Sequence, residues 1–291
     1  MNDLIQLVVN GVSVGAIIAL AAVGLTLTYG ILRLSNFAHG DLMTLGAYLT
    51  FACNTSGLPV ISNIWVAMVV GILGTVVVVL VSEALLWSPM RDRRASSTTL
   101  IIISIGLALF LRNGIILIWG GSNRNYDLPV TPAVTIAGIN VAYYKLVVTV
   151  LAVVAIVGLH LLLKYTKIGK AMRAVADDID LARVTGINVE QVITWTWVIA
   201  GSLTALGGGM LGLVEAVRPN MGWFLILPMF AAVILGGIGN PYGAIAGALI
   251  IGISQEVSTL ILPTAYKQGI ALAIMVLVLL FRPQGLFKGI A

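Results

Sequence analysis

One polar stretch, residues 164–190, constrains the fold more than any other feature of this sequence. It holds nine charged residues in a chain that has only 16 basic and 11 acidic ones, and long apolar segments lie on both sides of it. A charge in hydrocarbon costs about 2.5–3.5 kcal/mol or more, so this stretch must lie in water between two membrane-crossing halves. Small or apolar residues recur in it at spacings that can share one helix face: Ala171, Ala174, Val175, Ala182 and Val184. We expect a short amphipathic helix that offers a docking surface to a soluble cytoplasmic partner, with a plain solvated loop as the alternative.

Composition places the rest of the chain in a membrane. The 291 residues are 59% hydrophobic and only 9% charged, and the mean hydropathy is +1.07. Since one helical span needs about 20 apolar residues, the chain is predicted to be an all-α, polytopic helical membrane protein. Residues 1–291 then form a single transmembrane domain without room for a second, soluble one.

The apolar segments predict about eight or nine membrane-crossing elements, with an external N-terminus. The expected spans are 4–32, 64–87, 98–119, 144–163, 192–214, 244–262 and 269–281, and two pieces too short to cross fully are 42–53 and 224–235. These short pieces predict two broken or half helices, one in each of two halves that resemble inverted repeats. The basic run at residues 91–94 marks the cytoplasmic side. The same positive-inside bias explains the net charge of +5 better than a nucleic-acid partner does.

Two interruptions of the apolar pattern are candidates for the lining of a translocation path. We name residues 35–40 the first break and residues 236–243 the second break. Backbone groups freed at a helix break persist at membrane depth only where protein or a water-filled path receives them. The candidate path residues are Asn36, Phe37, His39, Gly40, Gly236, Gly237, Gly239 and Asn240. Two ordinary tight turns at the membrane surface fit the same pattern.

Several chemical functions find no support in the residues. One cysteine and two histidines do not assemble a metal site, so we interpret His39 as a hydrogen-bonding group near the path. The chain lacks the G-x-x-x-x-G-K-[ST] phosphate-binding loop and any catalytic constellation, so we predict a non-enzyme without a cofactor of its own.

Ionisable residues in or near the spans are functional candidates by default. They are Glu83, Arg112, Glu215, Arg218 and Glu256. Most lie near enough to a span end to reach water by snorkelling, and Glu256 is expected to lie deepest. A coupling-ion site would need carboxylates at mid-membrane, and Asp41 and Glu256 qualify without an evident cationic partner.

The exact string of the polar stretch adds a resemblance to these inferences. Gly169-Lys170-Ala171-Met172-Arg173-Ala174, followed by Asp178, Ala182 and Gly186-Ile187-Asn188, resembles the coupling loop of the branched-chain and neutral amino acid ABC transporter permeases of the Liv type, in particular their H-like subunit. The similarity runs from Asn10 to Gly285 and includes Asn36-Phe37-Ala38-His39-Gly40 and Gly236-Gly237-Ile238-Gly239. In that family the loop rests in a groove on the ATP-hydrolysing subunit. The resemblance therefore implies ATPase coupling through Gly169, Ala171, Arg173, Ala174, Asp178, Ala182 and Gly186.

The resemblance also implies a function and a set of partners. The chain would be a permease subunit that imports neutral or branched-chain amino acids through a bacterial inner membrane. Its partners would be a sister permease, two cytoplasmic ABC ATPases that hold ATP and Mg²⁺, an extracytoplasmic substrate-binding protein and membrane lipid. Two alternatives remain, namely an ABC permease for urea, short amides or sugars, and a stand-alone secondary transporter. Which amino acid is carried, and whether the pore is a homodimer or a heterodimer, stays open at this stage.

Overall fold

The chain forms a bundle of helices, here described from a computed structural model that covers residues 2–58, 60–129, 131–136, 139–282 and 284–287. The helices are α1 (Asn2–Leu32), α2 (His39–Asn54), α3 (Ile64–Ser82), α4 (Ser88–Asp92), α5 (Ser97–Trp119), α6 (Tyr143–Tyr165), α7 (Lys167–Asp177), α8 (Ile179–Val184), α9 (Val189–Val214), α10 (Met221–Gly236), α11 (Pro241–Val257) and α12 (Lys267–Phe281). Two short antiparallel strands, β1 (Val134–Ile136) and β2 (Ile139–Val141), form a hairpin.

The predicted all-α, polytopic architecture is confirmed. Within the part of the chain that the structure describes, seven helical segments are long and apolar enough to cross a membrane. The two short apolar pieces become α2 and α10, each of 16 residues. The prediction of about eight or nine elements thus corresponds to seven full spans and two short helices.

The end of the third span was predicted wrongly. The span does not stop before Pro89, because a π-helical turn, Glu83–Trp87, carries it into α4. Pro89 lies in the first turn of α4, where a proline is tolerated. The connection between α5 and α6, for which no secondary structure was predicted, contains the β1–β2 hairpin.

The bundle has two distinguishable ends. The first, which we call the polar end, carries residues 88–97 together with α7 and α8. The opposite end, the hairpin end, carries residues 120–142, and Gln6 Nε2 of α1 donates to Asn140 O there at 2.9 Å. The long helices therefore run between these two ends, with α1 starting at the hairpin end and finishing at the polar end.

Helix α1 lies at the centre of the bundle, packed against α9, α10 and α11. A Cβ added to Gly11 would lie 2.6 Å from Ile253 Cα, and one added to Gly252 would lie 2.4 Å from Gly15 N. No side chain fits between backbones this close, so the glycines are what permits the α1–α11 packing. The central helices hold both short helices in place.

Both short helices begin inside the bundle. Residues 33–38 leave α1 at its end, and α2 then starts beside Ala21, which lies about 16 Å back along α1 at 1.5 Å per residue. The first turn of α10 packs on the first turn of α2 through Gly222 and Gly40. The short piece predicted at 224–235 begins earlier, because α10 starts at Met221; Met221 and Gly222 are buried there, whereas Trp223 is exposed.

Candidate functional site

The first break is a buried junction between helices. Asn36, His39 and Gly40 are buried, while Phe37 is half-buried. His39 Nε2 lies 2.9 Å from Ala21 O in α1 and 2.8 Å from Thr204 Oγ1 in α9. Because a carbonyl oxygen only accepts, the contact to Ala21 O requires a proton on Nε2. His39 is thus a hydrogen-bonding residue, as predicted, that ties α2 to the two central helices.

The two short helices touch backbone to backbone. A Cβ on Gly40 would lie 2.3 Å from Gly222 O, and a Cβ on Gly222 would lie 1.8 Å from Gly40 O. Thr44 Oγ1 also accepts a hydrogen bond from Gly222 N at 3.0 Å. Sequence reasoning missed Gly222, because the predicted short piece began at residue 224, after this glycine.

An ion pair lies beside this crossing. Arg112 of α5 donates from Nε to Asp41 Oδ1 at 3.0 Å and from Nη2 to Asp41 Oδ2 at 2.9 Å. The guanidinium also lies over the ring of Trp223, 4.5 Å from its centroid. Arg112 therefore does not snorkel as expected, and Asp41 has the cationic partner that the sequence did not reveal.

The other candidate carboxylates near the spans are paired as well. Glu256, expected to lie deepest, lies near the hairpin end of α11 and accepts from Lys267 Nζ at 2.5 Å. Glu83 accepts from Trp197 Nε1 at 2.5 Å and from Arg91 Nη1 at 3.1 Å. The remaining candidate carboxylate, Glu215, forms a surface ion pair with Arg218. Tertiary contacts, which sequence spacing does not reveal, supply most of these partners.

The first break also contacts the helices around it through Phe37. The rings of Phe37 and Phe230 of α10 lie 4.9 Å apart, and Phe37 N donates to Ser104 Oγ of α5 at 3.1 Å. The Asn36 side chain closes the local turn by accepting from Ala38 N at 3.0 Å. Residues 35–40 are therefore held by α1, α5, α9 and α10 together.

The second break is a tight turn between α10 and α11. Gly237 and Gly239 have φ values of 101° and 86°, which side chains rarely adopt. Gly239 N donates to Thr26 Oγ1 of α1 at 2.9 Å. The Asn240 side chain caps α11 by accepting from the backbone N–H groups of its first turn at 3.1 Å each. Gly236, at the end of α10, approaches Gly243 so closely that a Cβ there would lie 2.1 Å from Gly243 O.

The polar stretch folds as the predicted amphipathic helix, divided into α7 and α8. Gly169, Met172, Val175 and Ala182 are buried. Ala171 and Ala174 are half-buried, and Arg173 and Asp178 are exposed. The predicted apolar face was partly wrong, because Val184 is 80% exposed and the buried Met172 had been overlooked.

Two predicted coupling residues have clear local roles in this stretch. Asp178 is the N-cap of α8, since its Oδ1 accepts from Asp180 N and Leu181 N at 2.9 Å each. Gly186 follows α8 with a φ of 88°, which suits the end of a helix. Asp178 and Gly186 therefore help to set where α8 begins and ends.

A cavity of about 590 Å³ brings the polar stretch and the second break together. Its walls include Thr26 and Ile31 of α1, Met172 and Arg173 of α7, and Gly239. Sequence reasoning treated the second break and the polar stretch as separate features. The structure makes them neighbours at the polar end of the bundle.

Known proteins resemble this chain over nearly its whole length. The family described as "Branched-chain amino acid transport system / permease component" matches residues 7–279, from α1 to α12. The high-affinity branched-chain amino acid transport system permease protein LivH of Salmonella typhimurium is 33% identical, covering 97% of this chain and 94% of that protein. The corresponding protein BraD of Pseudomonas aeruginosa is 30% identical, with 97% and 95% covered.

Another match is shorter. The xylose transport system permease protein XylH of Haemophilus influenzae is 36% identical over 41% of this chain and 34% of its own length. No solved structure matches the chain. The family match and the two full-length relatives confirm the resemblance noted in the sequence, and the chain belongs to the family of branched-chain amino acid transport system permease components.

Proposed function

We propose that this protein is the transmembrane permease subunit of an ATP-driven importer of neutral or branched-chain amino acids in a bacterial inner membrane. The observation that carries this proposal is the pair α7–α8, an amphipathic unit at the polar end whose outer face is charged and exposed. Full-length relatives are named as branched-chain amino acid permeases, which supports the same cargo class. The polar end would face the cytoplasm.

Helix α7 is suited to transmit movement into the bundle. Met172 and Val175 are buried under it, so a push on α7 acts on the packed helices below. Its Arg173 lines the same cavity as Gly239 of the second break, which in turn is hydrogen-bonded to Thr26 of α1. An ATPase seated on α7 and α8 would therefore act on the α10–α11 turn and on the end of α1.

The remaining parts of the importer would be supplied by other chains. Two cytoplasmic ATPases would bind ATP and Mg²⁺, a sister permease would complete the path, and an extracytoplasmic binding protein would deliver the amino acid at the hairpin end. The two breaks contain the residues we assign to the path: Asn36, Phe37, His39, Gly40, Gly236, Gly237, Gly239 and Asn240. Closure of the ATPases would tilt one set of helices against the other and expose the path alternately to each side.

The alternative of a stand-alone secondary transporter is less well supported. Such a transporter needs carboxylates that can take up a coupling ion at membrane depth. Asp41 is paired with Arg112, and Glu256 is paired with Lys267. Neither carboxylate is therefore available to a cation without first breaking an ion pair.

The ABC alternatives differ in the cargo that they import. The partial match to a protein named as a xylose permease makes a sugar the second candidate cargo. Uptake of radiolabelled L-leucine, xylose and urea by the reconstituted complex distinguishes them, and we expect ATP-dependent uptake of leucine alone.

Co-purification from mild detergent tests the assembly. The tagged wild-type chain should bring with it an ATPase and a second permease, and Arg173→Glu should lose the ATPase while keeping the permease. Asp178→Asn keeps the α8 cap while removing its charge, whereas Asp178→Ala removes both. If Asp178→Asn binds the ATPase and Asp178→Ala does not, ATPase binding depends on the α8 cap. If neither variant binds the ATPase, binding depends on the charge of Asp178.

A matched control is charge reversal at the hairpin end, Asp3→Lys, which should retain the ATPase and the second permease. Recovery of the wild-type chain alone, still able to move leucine without ATP, would contradict the proposal and favour a secondary transporter.

A further inference from the structure

A partly exposed guanidinium lies inside the membrane-spanning part of the bundle. Arg112 is seven residues before the end of α5 at Trp119, which places it about 10 Å from the hairpin end of a span near 30 Å long. Its side chain is 16% exposed. A charge at this depth is costly in contact with lipid, so Arg112 must face protein or a water-filled path.

Asp41 occupies only one edge of this guanidinium. The Nε and Nη2 atoms donate to the two carboxylate oxygens, and Asp41 itself is 0% exposed. Among the described residues, Arg112 Nη1 has no hydrogen-bond partner. An arginine has five N–H donors in a fixed fork, so a second planar edge stays available for an acceptor.

Arg112 lies where the buried face of α5 meets its exposed, apolar face. Leu111 is buried, whereas Leu109 is 48% exposed. Trp223 of α10 packs on the guanidinium and is 38% exposed. Contact of the exposed part of the guanidinium with lipid would be costly, so that part must be received by a water-filled path or by another protein chain.

We propose that the second edge of Arg112 binds the α-carboxylate of the amino acid as it passes through the path. This inference rests on the proposed function and names a substrate contact for it. Arginine recognises carboxylates through parallel N–H···O bonds. Asp41 holds the fork in one orientation and cancels its net charge, so the carboxylate is attracted but not trapped. Transport requires binding of this kind, strong enough for entry and weak enough for release.

A purely structural role for the Asp41–Arg112 ion pair would explain the same contacts. Two double variants distinguish this structural role from binding of the substrate carboxylate. The neutral double variant Asp41→Asn/Arg112→Gln removes both charges and leaves neither buried charge unpaired. The exchanged variant Asp41→Arg/Arg112→Asp keeps an ion pair but moves the guanidinium to α2. Asn113→Ala, one position along on α5, is the matched control.

The measurement is ATP-driven uptake of radiolabelled L-leucine by the complete transporter in liposomes, together with its ATPase rate and melting temperature. For each double variant that has the melting temperature of the wild type, we expect ATP hydrolysis to continue and leucine uptake to fall by about tenfold or more. Asn113→Ala should transport normally. Wild-type uptake by either Arg112 variant would overturn the inference.

A measurement on the unaltered protein covers the case in which the variants do not fold. In the wild-type complex with ¹⁵N-labelled arginine, leucine labelled with ¹³C in its carboxyl group should show a through-space coupling to a guanidinium nitrogen. Leucinamide, which lacks the carboxylate, should show none. Absence of coupling with leucine would overturn the inference. If the wild-type complex takes up no leucine at all, the proposed function fails instead.

Discussion

The first and second breaks each interrupt an apolar run in the sequence, but they are built differently. The first break lies inside the bundle, and backbone atoms or side chains of four helices surround it. The second break lies toward the polar end, and two positive-φ glycines with one hydrogen bond to Thr26 define its turn. The first is thus a packed junction, and the second is a turn next to the cavity beneath α7.

This difference predicts that substitutions at the two breaks have different effects. Changes at the first break disturb contacts among α1, α2, α9 and α10, so they should act mainly on stability. Changes at the second break disturb fewer contacts but lie beside Arg173, so they should act mainly on the coupling of ATP hydrolysis to uptake. Four predictions test this difference.

The largest effect is expected at the crossing of the short helices. Gly222→Ala introduces a Cβ where Gly40 O lies 1.8 Å away, and neither backbone can yield without moving a helix. We expect a loss of about 3 kcal/mol or more, or failure to fold, measured by melting in detergent. Gly106→Ala in α5 is the control, because its Cβ would meet nothing within 4 Å. Equal melting temperatures for the two variants would contradict a packed junction.

A smaller loss is expected when His39 is replaced by leucine. His39→Leu removes the Nε2 contacts to Ala21 O and Thr204 Oγ1 without leaving much empty volume. The expected cost is about 2 kcal/mol in the free energy of unfolding. Thr204→Val removes the hydroxyl alone and should cost less, and the double variant should be non-additive because the two groups touch. Additive losses would show that the contact does not stabilise the junction.

At the second break, Gly239→Ala should act more on coupling than on stability. Its φ of 86° strains a residue with a Cβ by about 1–2 kcal/mol. We expect a modest fall in melting temperature but a larger rise in ATP hydrolysed per leucine taken up. Gly121→Ala, at a loop glycine with open space around it, should change neither. A normal coupling ratio in Gly239→Ala would count against the role of this turn.

The smallest effect is expected from the cap of α11. Asn240→Ala removes the side chain that accepts from Tyr242 N and Gly243 N, with a cost of about 1 kcal/mol. Asn63→Ala removes a similar cap from α3 and should cost about as much stability. Only Asn240→Ala should raise the ATP used per leucine, because only that cap adjoins the cavity under α7. Identical coupling in both variants would assign Asn240 a structural role alone.

Much of the fold could be predicted from local patterns. The spans, the two short helices and the amphipathic polar stretch follow from runs of apolar residues and from the cost of placing charge in hydrocarbon. The N-terminal boundary of α10 was misplaced because Met221 to Trp223 are apolar or small and read equally well as a turn or a helix start. The continuation of α3 past Pro89 was missed because the predicted stop ignored that a new helical turn can begin at a proline.

Local sequence patterns were enough to establish that this chain is a polytopic membrane protein with a water-exposed stretch between two halves, and they identified the family. Those conclusions depend on hydropathy and on short strings, which are local properties of the chain. The three-dimensional fold was needed to show that Gly40 meets Gly222, that Asp41 pairs with Arg112, and that the second break adjoins α7. These contacts join residues far apart in sequence, and they exist because helix packing brings particular faces together.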